Sequence, residues 1–229
     1  MPGLEVRHPS GVDLATPTRR LRPGRWIAIV LVAAFLAMLA YGLHAKGTDD
    51  RIDEKLAAGQ AATAPSFSLE LLHRGTLPQR VERKVGPALT DGHVSLAELR
   101  GVPVVLNLWA SWCSPCREEA GRLEDGWRTL GPRGVLFLGL DIQDVRGDGL
   151  GFIRKYGASY PSVREPGRDV ANDYGATGIP ETYFIDGQGQ VVAHVIGVVS
   201  ARQLSQGAAA ADSGRVVGRS IGGATFKIR

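Results

Sequence analysis

The chain alternates short apolar runs with polar segments in a way that predicts strands connected by helices. The run at residues 104–108 is apolar except for Asn107, which is typical of a strand buried on both faces. Helix-start signals lie between such runs, including a capping box that opens at Ser95. The predicted strands are residues 67–72, 104–108, 135–140, 161–163, 182–185 and 191–199, and the predicted helices are residues 95–100, 113–130, 150–156, 169–174 and 200–211. This alternation predicts one α/β domain over residues 66–211.

A longer apolar run precedes this domain. Residues 26–43 carry no charged side chain, and a helix of that length spans about 27 Å, close to the hydrocarbon thickness of a bilayer. Arginines precede the run and acidic residues follow it. This pattern predicts a single-pass membrane anchor with a cytoplasmic N-terminus and an extracytoplasmic domain. A cleaved signal peptide is the alternative, with a small-x-small site at residues 40–42.

The segments around the apolar run show no strong pattern of their own. Residues 1–25 are polar and rich in Arg, Pro and Gly, so we expect them to be disordered. Residues 44–65 are expected to form a tether, with a short polar helix at residues 50–58 and a flexible stretch at residues 59–65. Such a linker would restrict the domain to the membrane surface and raise its effective concentration toward membrane-bound partners.

The candidate chemistry lies where the strand at residues 104–108 ends, because the two cysteines of the chain, Cys113 and Cys116, follow it. Cysteines three residues apart lie on one face of a helix, about 5–6 Å apart, within reach of a disulfide. The unpaired N–H groups of a first helical turn would stabilise a thiolate at Cys113. Pro115 fits that turn because its missing N–H costs little there. We predict a redox pair in which an exposed Cys113 attacks and Cys116 resolves the mixed disulfide.

A metal site, a static disulfide and a nucleic-acid partner are the alternatives to this redox pair. A structural zinc site needs a second pair of ligands that the sequence does not show, and a static structural disulfide is a further alternative. Copper delivery usually uses Cys-x-x-x-Cys with His or Met nearby, whereas the methionines are Met1 and Met38. The net charge of +4 would permit nucleic-acid binding, but aromatic residues make up 7% and no nucleic-acid motif is present. We therefore expect no metal, no organic cofactor and no nucleic-acid partner.

Two segments resemble a known family. Trp109–Cys116 resembles the active-site segment of thioredoxin-like proteins, and the apolar residues before it resemble the membrane-tethered ResA/CcmG/TlpA group. Gly178–Asp186 resembles the part of that group that carries a cis-proline opposite the cysteines. The likeness runs from about residue 66 to about residue 204. It implies a thioredoxin-like fold, in which a central mixed sheet is flanked by helices.

The resemblance also implies the substrate groove. Pro180 is expected to be the cis-proline, and the backbone of Ile179 to pair with an extended substrate by strand addition. Trp112, Pro115 and Glu181 are expected to contribute to the same groove. A trans turn proline at position 180 is the alternative.

The resemblance implies a proton-handling role for Glu119, since an acid at this position in the group is proposed to tune the cysteines and shuttle protons. The alternative is an acid favoured by the helix dipole. Asn107 stands where thioredoxin carries a buried, proton-accepting Asp, and an amide cannot take that role. A buried Asn that bonds the backbone is the alternative there. His194 is expected to be an ordinary, hydrogen-bonded strand residue.

Two further segments have no assigned role. Residues 73–93 are expected to form a solvated loop, with a partner-docking loop as the alternative. Residues 212–229 have no counterpart in the group, and residues 218–229 are expected to be disordered or to form a basic tail.

These features predict a membrane-anchored, extracytoplasmic thiol–disulfide reductase. The resemblance implies a role in cytochrome c maturation, in which the enzyme reduces the Cys-x-x-Cys-His disulfide of apocytochrome c and is re-reduced by a transmembrane thiol carrier. The alternatives are a general extracytoplasmic reductase or oxidase and, less favoured, a copper-delivery or redox-silent binding module.

Overall fold

A computed structural model describes residues 29–38 and 51–228. Residues 29–38 form a helix, α1, with exposed side chains, and belong to a unit separate from the domain that follows. Among these described residues, no helix has both the length and the hydropathy that a membrane span requires. The predicted anchor at residues 26–43 lies partly outside the described residues, and the predicted disordered segment at residues 1–25 lies wholly outside them.

Helices and strands alternate over residues 51–228, as the apolar pattern predicts. The helices are α2 (Arg51–Ala57), α3 (Gln79–Val85), α4 (Ser114–Leu130), α5 (Arg146–Tyr156), α6 (Asp169–Asp173) and α7 (Ala201–Ser213). The strands are β1 (Ala62–Thr63), β2 (Ser68–His73), β3 (His93–Ser95), β4 (Val104–Trp109), β5 (Leu136–Ile142), β6 (Ser162–Glu165), β7 (Gly178–Ile179), β8 (Glu181–Ile185), β9 (Gln190–Ile196), β10 (Gly218–Ile221) and β11 (Phe226–Lys227).

Within the described residues, the strands form a nine-stranded sheet in the order β1-β9-β8-β4-β5-β6-β2-β3, with β10 added beside β9. The central strand β4 pairs in parallel with β5 and antiparallel with β8, so the sheet is mixed. Every residue of β4 is buried, which explains why the strand is apolar except for Asn107. The expected α/β fold with a central mixed sheet is confirmed.

Two segments expected to lack structure are part of this domain. The short helix predicted at residues 50–58 is confirmed as α2. The flexible linker predicted for the rest of residues 44–65 is wrong within the described part, because α2 buries Ile52 and Leu56 against the domain and β1 pairs with β9. The loop prediction for residues 73–93 is also wrong, because α3 forms there and buries Val81 and Val85. In both helices the two buried residues are four positions apart, so each forms one narrow apolar face on an otherwise polar segment.

The C-terminal segment is likewise ordered, against the expectation of a disordered tail. β10 pairs in parallel with β9, and the Val217 N–H donates to the Val192 carbonyl at 2.9 Å. The chain then turns at Gly222 and Gly223, and β11 pairs antiparallel with β7. These backbone contacts join segments far apart in sequence, and they require little apolar side-chain pattern in the tail itself.

Candidate active site

Cys113 and Cys116 form a disulfide at the start of α4, with their Cα atoms 5.3 Å apart. Cys113 is the N-cap residue, and its Sγ accepts a hydrogen bond from the Cys116 N–H at 3.1 Å. The helix start therefore supplies a donor to the sulfur, as the spacing predicts. The predicted exposure of Cys113 is wrong for this oxidised state, because its exposed fraction is 0% and that of Cys116 is 2%.

The loop after β5 fixes the turn that precedes Cys113. The Asp144 carboxylate accepts hydrogen bonds from the Ser111 N–H and from Ser111 Oγ. Trp112 Nε1 donates to the Gln143 carbonyl at 3.0 Å. Gln143 adopts a positive φ of 50°, which a non-glycine residue rarely does. These contacts fix the two residues that directly precede Cys113.

Glu119 lies one turn after Cys116 along α4, and it is fully buried. Its Oε1 accepts from Asn107 Nδ2 at 2.8 Å, and its Oε2 accepts from the Val199 N–H at 2.7 Å. Burial raises the pKa of Glu119 to about 7, even though both hydrogen bonds act to lower it. Such an acid is partly ionised at neutral pH and can take up or release a proton.

Asn107 links this acid to the neighbouring strand. Its Nδ2 also donates to Thr182 Oγ1 at 3.0 Å, so this group bonds two side chains instead of the backbone groups that the alternative expected. The amide holds the Glu119 carboxyl in place, while Glu119 provides the titrating group that an amide lacks.

The expected cis-proline is present as the Ile179–Pro180 peptide bond. β8 begins immediately after it and runs antiparallel to β4, with Glu181 opposite Leu108. The start of β8 and the end of β4 therefore lie at the same end of the sheet. This places Pro180 near the turn that carries Cys113.

Glu181 points into the domain and does not line the groove as expected, because its side chain is fully buried. Its Oε1 accepts from the N–H groups of Thr177 and Gly178 at 3.0 and 2.9 Å. Its Oε2 contacts the Tyr183 hydroxyl and His194 Nε2, each at 3.0 Å. Glu181 thus stabilises the loop that precedes the cis-proline through hydrogen bonds from inside the domain.

His194 joins this loop to the N-terminal part of the domain. Its Nδ1 lies 2.8 Å from Asp53 Oδ1, and Arg219 of β10 lies 3.2 Å from the other oxygen of Asp53. Burial lowers the pKa of His194, but its hydrogen bonds to Asp53 and Glu181 and their charges outweigh this, so the pKa is raised above its ordinary value. The expectation of a hydrogen-bonded strand residue is met, and the residue also bridges two carboxylates.

The sequence pattern of the AhpC/TSA family matches residues 61–194. The chain belongs to this family. A thiol:disulfide interchange protein DsbE from Xylella fastidiosa is 30% identical over 190 residues, which cover 82% of this chain and 86% of that protein. The thiol-disulfide oxidoreductase ResA of Bacillus thuringiensis is 30% identical over 111 residues, so the chain spans 64% of the length of that relative.

Solved structures agree with the family assignment. The crystal structure of a putative thiol:disulfide interchange protein DsbE from Chlorobium tepidum matches with a TM-score of 0.53 and 25% identity. The match covers 66% of this chain and 96% of that one. The AhpC/TSA domain described here therefore has the thioredoxin-like fold that the two sequence motifs imply.

The AhpC/TSA domain brings most of the predicted site residues to one end of β4. Trp112 is 38% exposed beside the disulfide, and Pro115 is buried within the first turn of α4. Ile179 is also buried, and the strand that contains it, β7, pairs with β11. The sequence analysis did not identify Gln143 and Asp144 as site residues. Their position directly after β5, the parallel neighbour of β4, could have indicated them.

Proposed function

We propose that this chain is a thiol–disulfide reductase that uses Cys113 and Cys116 as its redox pair. The observation that carries the proposal is a disulfide at a helix start, with a buried acid whose pKa is about 7, Glu119, three residues after Cys116 in the same helix. The names of the relatives in the same family support the same chemistry. No metal or organic cofactor is needed, because the disulfide itself accepts and donates two electrons.

The reduced enzyme begins the reaction. The Cys113 thiolate attacks one sulfur of the substrate disulfide, which forms a mixed disulfide and releases the other substrate sulfur as a thiolate. The thiolate of Cys116 then attacks Cys113 Sγ, which re-forms the enzyme disulfide and releases the substrate dithiol. Two electrons pass from the enzyme pair to the substrate. An external thiol donor must return them before the next cycle.

Glu119 handles the proton of the second step. Cys116 must lose its proton to attack, and the Glu119 carboxylate three residues along the helix lies on the same face. With a pKa of about 7, Glu119 accepts that proton as the attack occurs and returns it during re-reduction. Asn107 keeps the carboxyl in position through its hydrogen bond at 2.8 Å.

We further propose that the substrate is the Cys-x-x-Cys-His disulfide of apocytochrome c, reduced outside the cytoplasmic membrane. The resemblance to the ResA/CcmG/TlpA group supports this substrate and a transmembrane thiol carrier as the electron donor. The apolar run at residues 26–43 supports a membrane anchor. A reductant in an oxidising compartment needs a potential nearer the thioredoxin value of about −270 mV than the DsbA value of about −120 mV.

The experiment that tests this function is trapping of the mixed disulfide in membranes of the source cells. The full-length Cys116→Ala variant cannot resolve the intermediate, so it accumulates substrate adducts on Cys113 that mass spectrometry identifies. Apocytochrome c is the expected adduct, and the Cys113→Ala, Cys116→Ala double variant is the control. Adducts with unrelated proteins alone would favour a general reductase, and a redox potential above about −180 mV would favour an oxidase.

A further inference from the structure

The last residues of the described chain occupy the edge beside the cis-proline. β11 pairs antiparallel with β7, so that Phe226 lies opposite Ile179 and Lys227 lies opposite Gly178. Thr225 Oγ1 adds a long hydrogen bond of 3.4 Å to the Ile179 carbonyl. The backbone of β7 is the edge to which an extended substrate would add as a strand. The protein's own C-terminal segment therefore stands where that strand would pair.

The same segment covers the exposed aromatic residue of the site. The Phe226 ring lies edge-on to the Trp112 ring, with their centres 5.3 Å apart. Trp112 directly precedes Cys113, so this contact brings β11 to the turn that carries the attacking sulfur. A shallow cavity at this place is lined by Trp112, Gln143, Thr177, Phe226, Lys227 and Ile228.

The protein backbone is shaped to accept the segment. A side-chain carbon at Gly178 would lie 2.8 Å from the Phe226 carbonyl oxygen, and one at Gly197 would lie 2.4 Å from the Gly223 carbonyl oxygen. Any larger residue at either position would push the C-terminal segment away. Gly178 and Gly197 thus allow the backbone of the C-terminal segment to pass close to the backbone of the domain.

β11 is held weakly, whereas the strand before it, β10, is held firmly. β11 has two residues, both exposed, and the Phe226 side chain remains 48% exposed. Ile228, directly after β11, is buried at 8% exposure, so the segment is held by two backbone-paired residues and one buried apolar side chain. β10, by contrast, is fixed to β9 along four paired residues, with the Gly222 N–H donating to the Ile196 carbonyl at 2.7 Å. The anchored β10 keeps β11 at a high effective concentration next to its binding edge.

We propose that β11 is an internal competitor that closes the substrate edge at rest and leaves it when an extended substrate pairs with β7. This inference rests on the proposed function, because it requires β7 to be the substrate edge. It also specifies the substrate: an extended strand that places an aromatic or large apolar side chain opposite Ile179, against Trp112. Strands with a charged residue there would displace β11 poorly.

The test compares substrate affinity in variants of the full chain. When a competing segment closes the binding edge, the apparent affinity equals the intrinsic affinity multiplied by the fraction of molecules whose edge is open. Phe226→Ala, and a chain that ends at Ala224, should each lower KM about three- to thirty-fold for a disulfide peptide carrying Cys-x-x-Cys-His, with kcat unchanged. Val217→Ala is the matched control, because Val217 is exposed in the same tail but precedes β10.

A peptide added in trans gives an independent readout. A synthetic peptide with the sequence of residues 222–229 should inhibit the chain that ends at Ala224 competitively, while the same peptide with Phe226→Asp should not inhibit it. Equal KM values in all variants, with no inhibition, would overturn the proposal while leaving the reductase function intact. Peptide reduction that fails in every variant, the wild type included, would instead overturn the reductase function itself.

Discussion

Replacing Glu119 by glutamine tests the proposed proton acceptor. Glutamine keeps the shape of the side chain but cannot accept a proton. It also presents an NH₂ group to one of two donors, Asn107 Nδ2 or the Val199 N–H, which both now donate to the carboxylate. One buried donor then loses its acceptor, which costs about 1–3 kcal/mol of the free energy of unfolding.

The pH dependence of stability separates the charge of Glu119 from its hydrogen bonds. Its pKa in the folded protein is about 7, against an ordinary value of 4.5, so the folded state holds a proton that the unfolded state releases. The contribution is fully present below about pH 4 and is lost as the pH rises through 7, for a total of about 3 kcal/mol. The Glu119→Gln variant should lack this decline. Urea unfolding of the oxidised protein between pH 4 and pH 8.5 measures it.

The same variant should slow the resolving step. Loss of a positioned general base typically costs about 100-fold or more, so kcat for peptide reduction should fall by about that factor at neutral pH. The wild-type rate should rise through pH 7 as Glu119 ionises, and the variant should lose this rise. The exposed neighbour Glu118 provides the control, as Glu118→Gln should change neither property. An unchanged pH profile in Glu119→Gln would refute the role of Glu119.

Three further substitutions probe the groups around the site. Asn107→Ala removes a hydrogen bond that lowers the pKa of Glu119, so the inflection in the rate profile should move to higher pH. His194 has a raised pKa, so its contribution is full below about pH 6.5 and is lost as the pH rises. In urea unfolding, His194→Gln should therefore destabilise the protein more at pH 6 than at pH 9. Burial, with Asp144 nearby, raises the pKa of Asp141 to about 9, so Asp141→Asn should stabilise the protein increasingly as the pH rises from 4 to 9, unlike Asp148→Asn.

Local sequence patterns were sufficient to predict the central strand β4 and the helix α4 that follows it. β4 is buried on both faces, so its residues are apolar except for Asn107, and α4 begins with a cysteine pair and a proline that suit a first turn. The cis-proline segment was found by resemblance, because no local pattern distinguishes it from an ordinary turn. These elements place the disulfide and Pro180 at one end of the sheet.

The missed features depend on contacts between distant segments. Glu181 could be assigned to the groove or to the interior from its sequence position, and its interior direction is decided by His194 and by the N–H groups of Thr177 and Gly178. β11 pairs with β7 through only two residues, which is too short for an alternation of apolar and polar side chains to predict a strand. In both cases a residue or strand far away in the sequence determines the local structure, so the local sequence does not predict it.

The chain of contacts from Asp53 through His194 to Glu181 has a practical consequence for anyone preparing this domain. A fragment that begins at Ser66, where the sequence alone places the start of the α/β domain, would lack Asp53 and the buried residues of α2. His194 would then keep one carboxylate partner of two, and the loop beside the disulfide would lose part of its support. Recombinant versions should start at or before Arg51 if their measured chemistry is to represent the intact protein.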